Sequence, residues 1–339
     1  MMAKPIVLEG VSKLYAPRPA QALRRFYSSG RLQPGEHLGV LGVSLHVEPG
    51  ETFVLMGHSG SGKSTLLRLL NGLYRPTAGR VTVMGTDLGQ LNRTQLVRLR
   101  RRVFCGMVFQ GFALLPHRSA LENVAFGLEL QGVPRPVRLE RAREALALVG
   151  LGERERALPA ALSGGQQQRL GLARALVMDG DVLLMDEPFS ALDPVTRREL
   201  QGELLRLRAR VRKTIVFVTH DLSEALRLGD RIALLKEGRV QQIGRPEEIV
   251  AKPANAYVAD FVAGADRQAV LRARSIMTPP EAVGGAALAG ARTVAADAPL
   301  SEVARLAATG GVLSVVGDAG QPLGVITQRD VLLALAGGA

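Results

Sequence analysis

The stretch Gly57-His58-Ser59-Gly60-Ser61-Gly62-Lys63-Ser64-Thr65 constrains the fold more tightly than any other part of the chain. It reads G-x-x-x-x-G-K-S, the phosphate-binding loop pattern, and its fixed positions each have a physical reason. Glycines let backbone N–H groups turn inward around phosphate oxygens. The helix that follows adds the positive end of its dipole. Lys63 reaches the β- and γ-phosphates, and the Ser64 hydroxyl is a ligand for Mg²⁺. The plainer alternative is an ordinary glycine turn before a helix. Context favours the phosphate loop. Thr52-Phe53-Val54-Leu55-Met56 is apolar and partly β-branched and predicts a buried strand, and Leu66-Leu67-Arg68-Leu69-Leu70 predicts a helix.

On either side the chain alternates strand and helix patterns. Ile6 to Gly10 predicts a first strand, followed by Val11-Ser12-Lys13-Leu14-Tyr15. Residues 16–41 break the pattern with prolines, a Ser-Ser-Gly and several arginines, and read as an inserted surface segment, helical over Ala20 to Tyr27. Val43 to Val47 alternates as a strand, and Pro49-Gly50-Glu51 turns the chain into the loop strand. Further strands are expected at Arg80 to Val83, Val103 to Gln110, Asp181 to Met185, Thr214 to Val218, Ile232 to Leu235 and Val240 to Ile243. Helices are expected at Thr94 to Arg102 and Pro194 to Arg212. Residues 119–178 are helical in pattern, with Leu139, Ala142, Leu146 and Val149 forming one apolar stripe. The order predicts an α/β, RecA-like P-loop core over 1–262 carrying a helical subdomain at about 111–178. Residues 263–275 read as a polar linker, and residues 276–339 as a small α+β module.

Net charge is +12, and residues 270–339 contribute none of it. Nucleic acid, an anionic membrane surface or a polyphosphate ligand would each suit that excess. The densest runs, Arg98 to Arg102 and Arg206 to Lys213, read as solvated helix faces. The chain has no run of 18 apolar residues, so no membrane span is expected. One cysteine, Cys105, rules out an internal disulfide and fits a reducing compartment. The N-terminal run Met1 to Leu8 has no signal-peptide core, so cytoplasm is the expected location.

Two more stretches carry chemistry. Asp186-Glu187 ends a buried strand, where Asp186 would hold Mg²⁺ through water and Glu187 would polarise or deprotonate an attacking water. The alternative is a helix-start carboxylate pair before Pro188. Leu162-Ser163-Gly164-Gly165-Gln166 opens a helix and offers a second anion site, or a plain serine N-cap.

The phosphate loop, Gln110 at a strand end, Leu162 to Gln166, Asp186-Glu187, Ser190-Ala191-Leu192-Asp193 and His220 occur in that order. In this the chain resembles the ATP-binding subunits of ABC transporters, over residues 5 to about 262. The resemblance implies ATP and Mg²⁺ as ligands. Gln110 would contact Mg²⁺ and the water and sense the membrane partner. Ser163 and Gly165, with Gly164 and Gln166, would touch the γ-phosphate held by an opposite subunit. Asp193 resembles the aspartate of the loop beside that site, and His220 a γ-phosphate contact. Tyr15 resembles the aromatic that stacks on adenine, or is simply an aromatic at a strand end. One loop and one signature per chain imply two copies, head to tail.

A closer similarity is to the glycine betaine/proline/choline uptake ATPases. It rests on GMVFQGFALLPHRSALE (Gly106 to Glu122), DEPFSALDP (Asp186 to Pro194) and DRIA (Asp230 to Ala233), and on the insert before Leu38-Gly39-Val40. Ser314 to Leu335 resembles the core of a cystathionine-β-synthase-type (CBS) repeat, and Ser275 to Pro279 its lead-in. The family often has Leu where His58 stands and Met where Gln166 stands, and its best-known members carry two CBS repeats where one is visible here. The resemblance implies a subunit at the cytoplasmic face of the membrane that energises a separate integral membrane permease, served by a substrate-binding protein. Phe112 to Glu122 would dock the permease. Alternatives are an importer ATPase for another small solute, or a soluble ABC ATPase acting on nucleic acid or ribosomes. The single cassette without a coiled coil argues against the latter, so no nucleic acid partner is expected. A nucleotide-binding regulator without turnover is a third reading, opposed by the intact Glu187 and His220. In Gly324 to Asp330, Thr327 and Asp330 fit either a ribose-phosphate contact or a T-x-x-D helix start, and the helix start is favoured. A lone repeat makes a small core, so pairing with its own copy across the dimer is expected.

Overall fold

A computed structural model describes residues 5–108, 113–190, 192–210, 213–278 and 291–336. It divides into two compact units, Met1–Asp221 with Leu235–Val240, and Leu222–Leu234 with Gln241–Ala339.

The first unit begins with β1 (Ile6–Tyr15), α1 (Pro19–Ser29) and β2 (His37–Val47). The two strands pair antiparallel, from Ile6 opposite Val47 to Tyr15 opposite His37. Proline in the first turn starts α1, and Gly30 in the left-handed region ends it. Ala22 and Leu23 of α1 are buried with Leu14 and Leu41. The inserted segment is therefore a docked helix with a short return. Its expected last residues, 37–41, belong to strand β2, where Val40 and Leu41 are both buried and proline and arginine no longer interrupt.

Next come β3 (Thr52–Met56), α2 (Lys63–Leu70), β4 (Ala78–Val83), β5 (Thr86–Asp87), α3 (Arg93–Val103) and β6 (Phe104–Val108). Helices α4 (Ala120–Leu130), α5 (Arg135–Leu148) and α6 (Gly164–Leu176) pack on one another through Val124, Leu128, Ala142, Leu146 and Leu170. β7 (Val182–Asp186), α7 (Pro194–Arg210) and β8 (Thr214–Thr219) complete the core. Strands β1, β2, β4 and β5 form a four-stranded sheet. In the second sheet β3, β8, β7 and β6 run parallel, in that order. Every residue of β3 and β8 is buried, as a parallel strand covered on both faces requires. The hairpin of β9 (Arg231–Lys236) and β10 (Arg239–Gly244) extends the sheet beyond β3. Register places Met56 beside Thr219 and Asp186 beside Val218, so three strands end together at one carboxyl edge.

The second unit holds α8 (Leu222–Leu228), α9 (Pro246–Ala251), α10 (Ala256–Val262), α11 (Arg267–Val270) and α12 (Ala273–Ile276). Then follow β11 (Arg292–Ala295), α13 (Leu300–Ala307), β12 (Leu313–Val316), β13 (Pro322–Ile326) and α14 (Gln328–Ala336). β11 and β12 are parallel, and β13 returns antiparallel. The expected linker 263–275 instead forms α11 and α12. Leu271 and Ala273 are fully buried, and Arg274 pairs with Glu247 of α9 at 3.0 Å. Such short helices owe their existence to tertiary packing, which the sequence pattern does not display. Thr327 donates from its N–H and Oγ1 to Asp330 Oδ2, both at 2.7 Å, and accepts from Asp330 N. The two residues are spent on starting α14.

Candidate active site

The carboxyl edge of a parallel sheet is where loops converge and ligands bind. Here the loop after β3 wraps a cavity of about 170 Å³ lined by His37, Gly39, Ser59, Gly60, Gly62, Lys63, Ser64, Thr65 and Glu187. Lys63 opens α2 and is 5% exposed. Its ammonium donates to the Gly57 carbonyl at 2.7 Å and the His58 carbonyl at 3.0 Å. Burial lowers its pKa, opposed by the charges of Glu187 and Asp186. Gly62 sits at φ 102°, and a Cβ there would run into the Gly39 carbonyl oxygen, so only glycine fits. Ser61 Oγ is buried with no hydrogen-bond partner among the described residues. The His58 ring is exposed beside the loop while its carbonyl turns inward.

From β7, Asp186 accepts a hydrogen bond from Ser64 Oγ at 3.1 Å. Burial raises its pKa, and the Ser64 hydroxyl opposes the rise. Glu187 lines the cavity itself, and His220 Nδ1, just beyond β8, lies 3.1 Å from its Oε2. The fold thus brings together Lys63, Ser64, Asp186, Glu187 and His220.

Tyr15 stands behind Thr65, with 3.2 Å between its hydroxyl and Thr65 Oγ1. Burial raises its pKa. Ser163, Gly164, Gly165 and Gln166 are not among the residues lining the cavity. Ser163 caps α6 in a reciprocal box. Its Oγ accepts from Gln166 N at 3.3 Å, and Gln166 Oε1 accepts from Ser163 N at 3.0 Å. A Cβ at Gly165 would meet Thr196 Cγ2 at 2.5 Å, so glycine lets α6 approach α7 closely. Asp193 caps α7 through Val195 N and Thr196 N, and these bonds, the Thr196 side chain foremost, lower its pKa. Gln110 lies outside the described residues.

Three residues at the site were not foreseen. His37 and Gly39 line the cavity, although they fell within the expected insert. Gly238, at the tip of the β9–β10 hairpin, donates from N to the Ser61 carbonyl at 3.1 Å and accepts from Leu41 N at 2.8 Å. It braces the loop from behind. The alternation seen from Val43 to Val47 did not reveal His37 and Gly39, because the adjacent apolar pair Val40-Leu41 breaks it before His37.

A central parallel strand ending in this loop, with carboxylates facing it from the strand two places away, defines a P-loop nucleoside-triphosphatase. The ABC transporter family model matches residues 40–190, and the CBS domain model matches residues 273–337. The glycine betaine transport ATP-binding protein OpuAA of Bacillus subtilis (strain 168) is 50% identical over 284 residues, covering 82% of this chain and 68% of that one. The trimethylamine N-oxide transport system ATP-binding protein TmoW of Ruegeria pomeroyi is 44% identical over 343 residues, covering 98% and 97%. A solved dimer of the ATP-binding cassette MJ0796, bound to ADP and Pi, matches with TM-score 0.61 and 34% identity over 71% of this chain and 98% of that one. The chain belongs to the ATP-binding subunits of ABC transporters, and it is an ATPase with a C-terminal CBS domain.

Proposed function

We propose that this ATPase drives import of a small solute carrying a trimethylated nitrogen, such as glycine betaine, choline or trimethylamine N-oxide, or the related solute proline, through a separate membrane permease. The catalytic half is carried by Lys63, Ser64 and Glu187, which line one cavity, and by Asp186 and His220, which contact Ser64 and Glu187. The solute class is supported by relatives named for glycine betaine and trimethylamine N-oxide transport, the latter matching nearly end to end.

In this mechanism Lys63 and the N–H groups of residues 57–65 hold the phosphates of ATP. Glu187 takes a proton from the attacking water, and His220 orients Glu187 and the γ-phosphate. Ser64 Oγ and Asp186 Oδ1 are adjacent hard oxygen donors, the set that suits Mg²⁺. Ser64 would bind the ion directly and Asp186 through water, with Gln110 as a third contact, and the ion would neutralise phosphate charge. Tyr15 stands at the base end. A second copy would supply Ser163, Gly164, Gly165, Gln166 and Asp193 across the site, since these spend their local bonds on helix caps and leave the cavity open on one side.

A mostly apolar cavity of about 350 Å³, lined by Phe104, Met107, Phe126, Leu130 and Met178 together with Arg100, Arg101 and Arg174, supports docking of a permease segment. No helix among the described residues is long and apolar enough to cross a membrane. The subunit would sit at the cytoplasmic face, with residues 1–262 as the engine and 276–339 as the regulator. Deleting the gene and measuring uptake of radiolabelled trimethylamine N-oxide, glycine betaine and proline tests the proposal. Loss of one of these, restored by the wild-type chain and not by Lys63→Ala, is the expected result. Unchanged uptake of all three would refute the solute class.

A further inference from the structure

Resting on the catalytic reading of Glu187 and His220 above, we propose that Arg197 is the positioning residue that aims His220 at Glu187. The His220 side chain is 58% exposed, so packing does not fix its ring. Its direction has to come from the main chain on either side. On one side β8 fixes Thr219, which lies beside Met56 in the parallel sheet. On the other side stands Asp221, whose N–H donates to Thr219 Oγ1 at 3.0 Å. Asp221 Oδ2 in turn accepts from Arg197 Nη1 at 3.3 Å.

The second arm of the same guanidinium, Nη2, donates to the Leu192 carbonyl at 3.1 Å. Leu192 is buried, and its N–H donates to the Phe189 carbonyl at 3.2 Å. Ser190, next to Phe189, donates to the Glu187 carbonyl from both N and Oγ. Arg197 stands in the first turn of α7, where its own N–H donates to the Asp193 carbonyl at 3.0 Å. A closed circuit results. It runs from Glu187 along the main chain to Leu192 and crosses the guanidinium to Asp221. From there it steps back one residue to His220 and returns to Glu187 through the 3.1 Å contact. Arg197 is the link that joins the segment after β7 to the segment after β8.

Arginine suits this place. Its planar fork offers two donors in a fixed relation, here one to a carbonyl and one to a carboxylate, which a lysine ammonium does not reproduce. The Arg197 and Asp221 side chains are 29% and 32% exposed, and an ion pair so open to water adds little to stability. Its use is therefore geometric: it sets where the histidine stands.

The test measures steady-state hydrolysis and calorimetric ATP binding on the full-length chain. Arg197→Met keeps a long side chain and removes the fork. Its kcat is expected to fall about tenfold or more, the scale of a displaced catalytic group. ATP affinity and KM should stay within about twofold, because Lys63 and the phosphate loop are untouched. Arg197→Lys should recover only part of the rate. Arg198→Met removes the same charge from the exposed neighbouring position and should leave kcat within about twofold. In a His220→Ala background Arg197→Met should cost nothing further, since the group it aims is gone. A purely structural role would lower the rate equally in both backgrounds, and that result would overturn the proposal. Asp221→Ala cuts the circuit at its other end and should reproduce the loss with Arg197 in place, so it decides the matter if Arg197→Met does not fold. Normal kcat in folded Arg197→Met, or in Asp221→Ala, would also overturn the proposal. Normal hydrolysis in His220→Ala alone would instead remove the catalytic reading of His220, and this proposal with it.

Discussion

His220 Nδ1 stands 3.1 Å from Glu187 Oε2, across the ends of two neighbouring parallel strands. The contact depends on an uncommon backbone. Glu187 is at φ 47°, in the left-handed region, which for a non-glycine residue costs on the order of 1–3 kcal/mol. Local hydrogen bonds hold it there. Glu187 N donates to the Val218 carbonyl at 3.0 Å, and the Glu187 carbonyl accepts from Ser190 N at 3.3 Å and Ser190 Oγ at 3.0 Å. The carboxylate is therefore aimed at the cavity by a fixed main chain.

Glu187→Gln keeps the shape and removes the proton acceptor. Phosphate release is expected to fall by about 10²-fold or more, the scale of losing a general base, while ATP still binds. His220→Ala should also lower turnover. The double variant should be scarcely worse than Glu187→Gln alone, because residues that act as one unit are not additive. Near-normal turnover in Glu187→Gln would show that another group takes the proton.

Asp186 yields an expectation of opposite sign for stability and activity. Its pKa in the folded chain is raised, chiefly by burial. A carboxyl with a raised folded pKa adds stability only below its unfolded pKa, and that contribution is lost as pH rises through the folded value. At neutral pH the ionised group therefore costs stability. Asp186→Asn keeps an oxygen for the Ser64 hydroxyl and should raise Tm in EDTA at pH 7 while abolishing turnover. Added Mg²⁺ with ATP should stabilise the wild type and give Asp186→Asn little. A lower Tm for the variant in EDTA would show that the charge is already compensated.

How much of this was legible in the chain differs by element. The phosphate loop could be read because its glycines, lysine and serine are each required within nine consecutive residues. Ser163 could be read as an N-cap and Thr327 to Asp330 as a helix start for the same local reason, while the reciprocal bond from Gln166 emerged in the structure. His37 could not be read, because its place at the cavity comes from pairing with Tyr15 across the whole of α1. Gly238 was missed likewise, since it braces a loop more than 170 residues away in the chain, at Ser61. Residues 263–275 looked like a linker because two single turns of helix carry no periodicity of their own.

Gly238 can be tested against a matched control. It lies at φ +75°, and a Cβ would approach the Gly39 carbonyl oxygen and Val40 Cα, each at 3.0 Å. Gly35 lies at φ +81° with open space around it. Alanine at either position carries the same kind of backbone strain, about 1 kcal/mol or more. Gly238→Ala should in addition shift the loop and raise KM for ATP several-fold, whereas Gly35→Ala should lower Tm alone. Equal KM values for the two would show that the hairpin tip does not set the loop.

The composite site is tested by mixing subunits. Lys63→Ala removes the charge on the phosphates, and Ser163→Arg blocks the face offered to the other copy. Each variant alone should be nearly inactive. Mixed, they form one site with both defects and one with neither, so part of the activity should return. Crosslinks that join one phosphate loop to the other, in place of loop to Ser163, would exclude the head-to-tail arrangement.

The C-terminal module calls for a finer cut than simple removal. Deletion from residue 266 would strip Arg267 from the Val250 carbonyl and Arg274 from Glu247, whose side chain is mostly buried. Leaving a buried carboxylate without its partner is strongly destabilising. Loss of ATPase in that deletion would then report damage to α9 and say little about regulation. Helix α14 offers a cleaner handle. Leu332 is 66% exposed and Leu335 37% exposed, one turn apart on one face. The module, residues 276–339, carries a net charge of −2 from three arginines and five acidic residues, which disfavours attraction to an anionic surface. Leu332→Glu with Leu335→Glu should leave basal ATPase activity within about twofold, since surface changes away from the site are nearly neutral. The same double variant should sediment more readily as a monomer and lose the response of transport to ionic strength. Unchanged sedimentation and an unchanged salt response would show that the modules do not meet through α14.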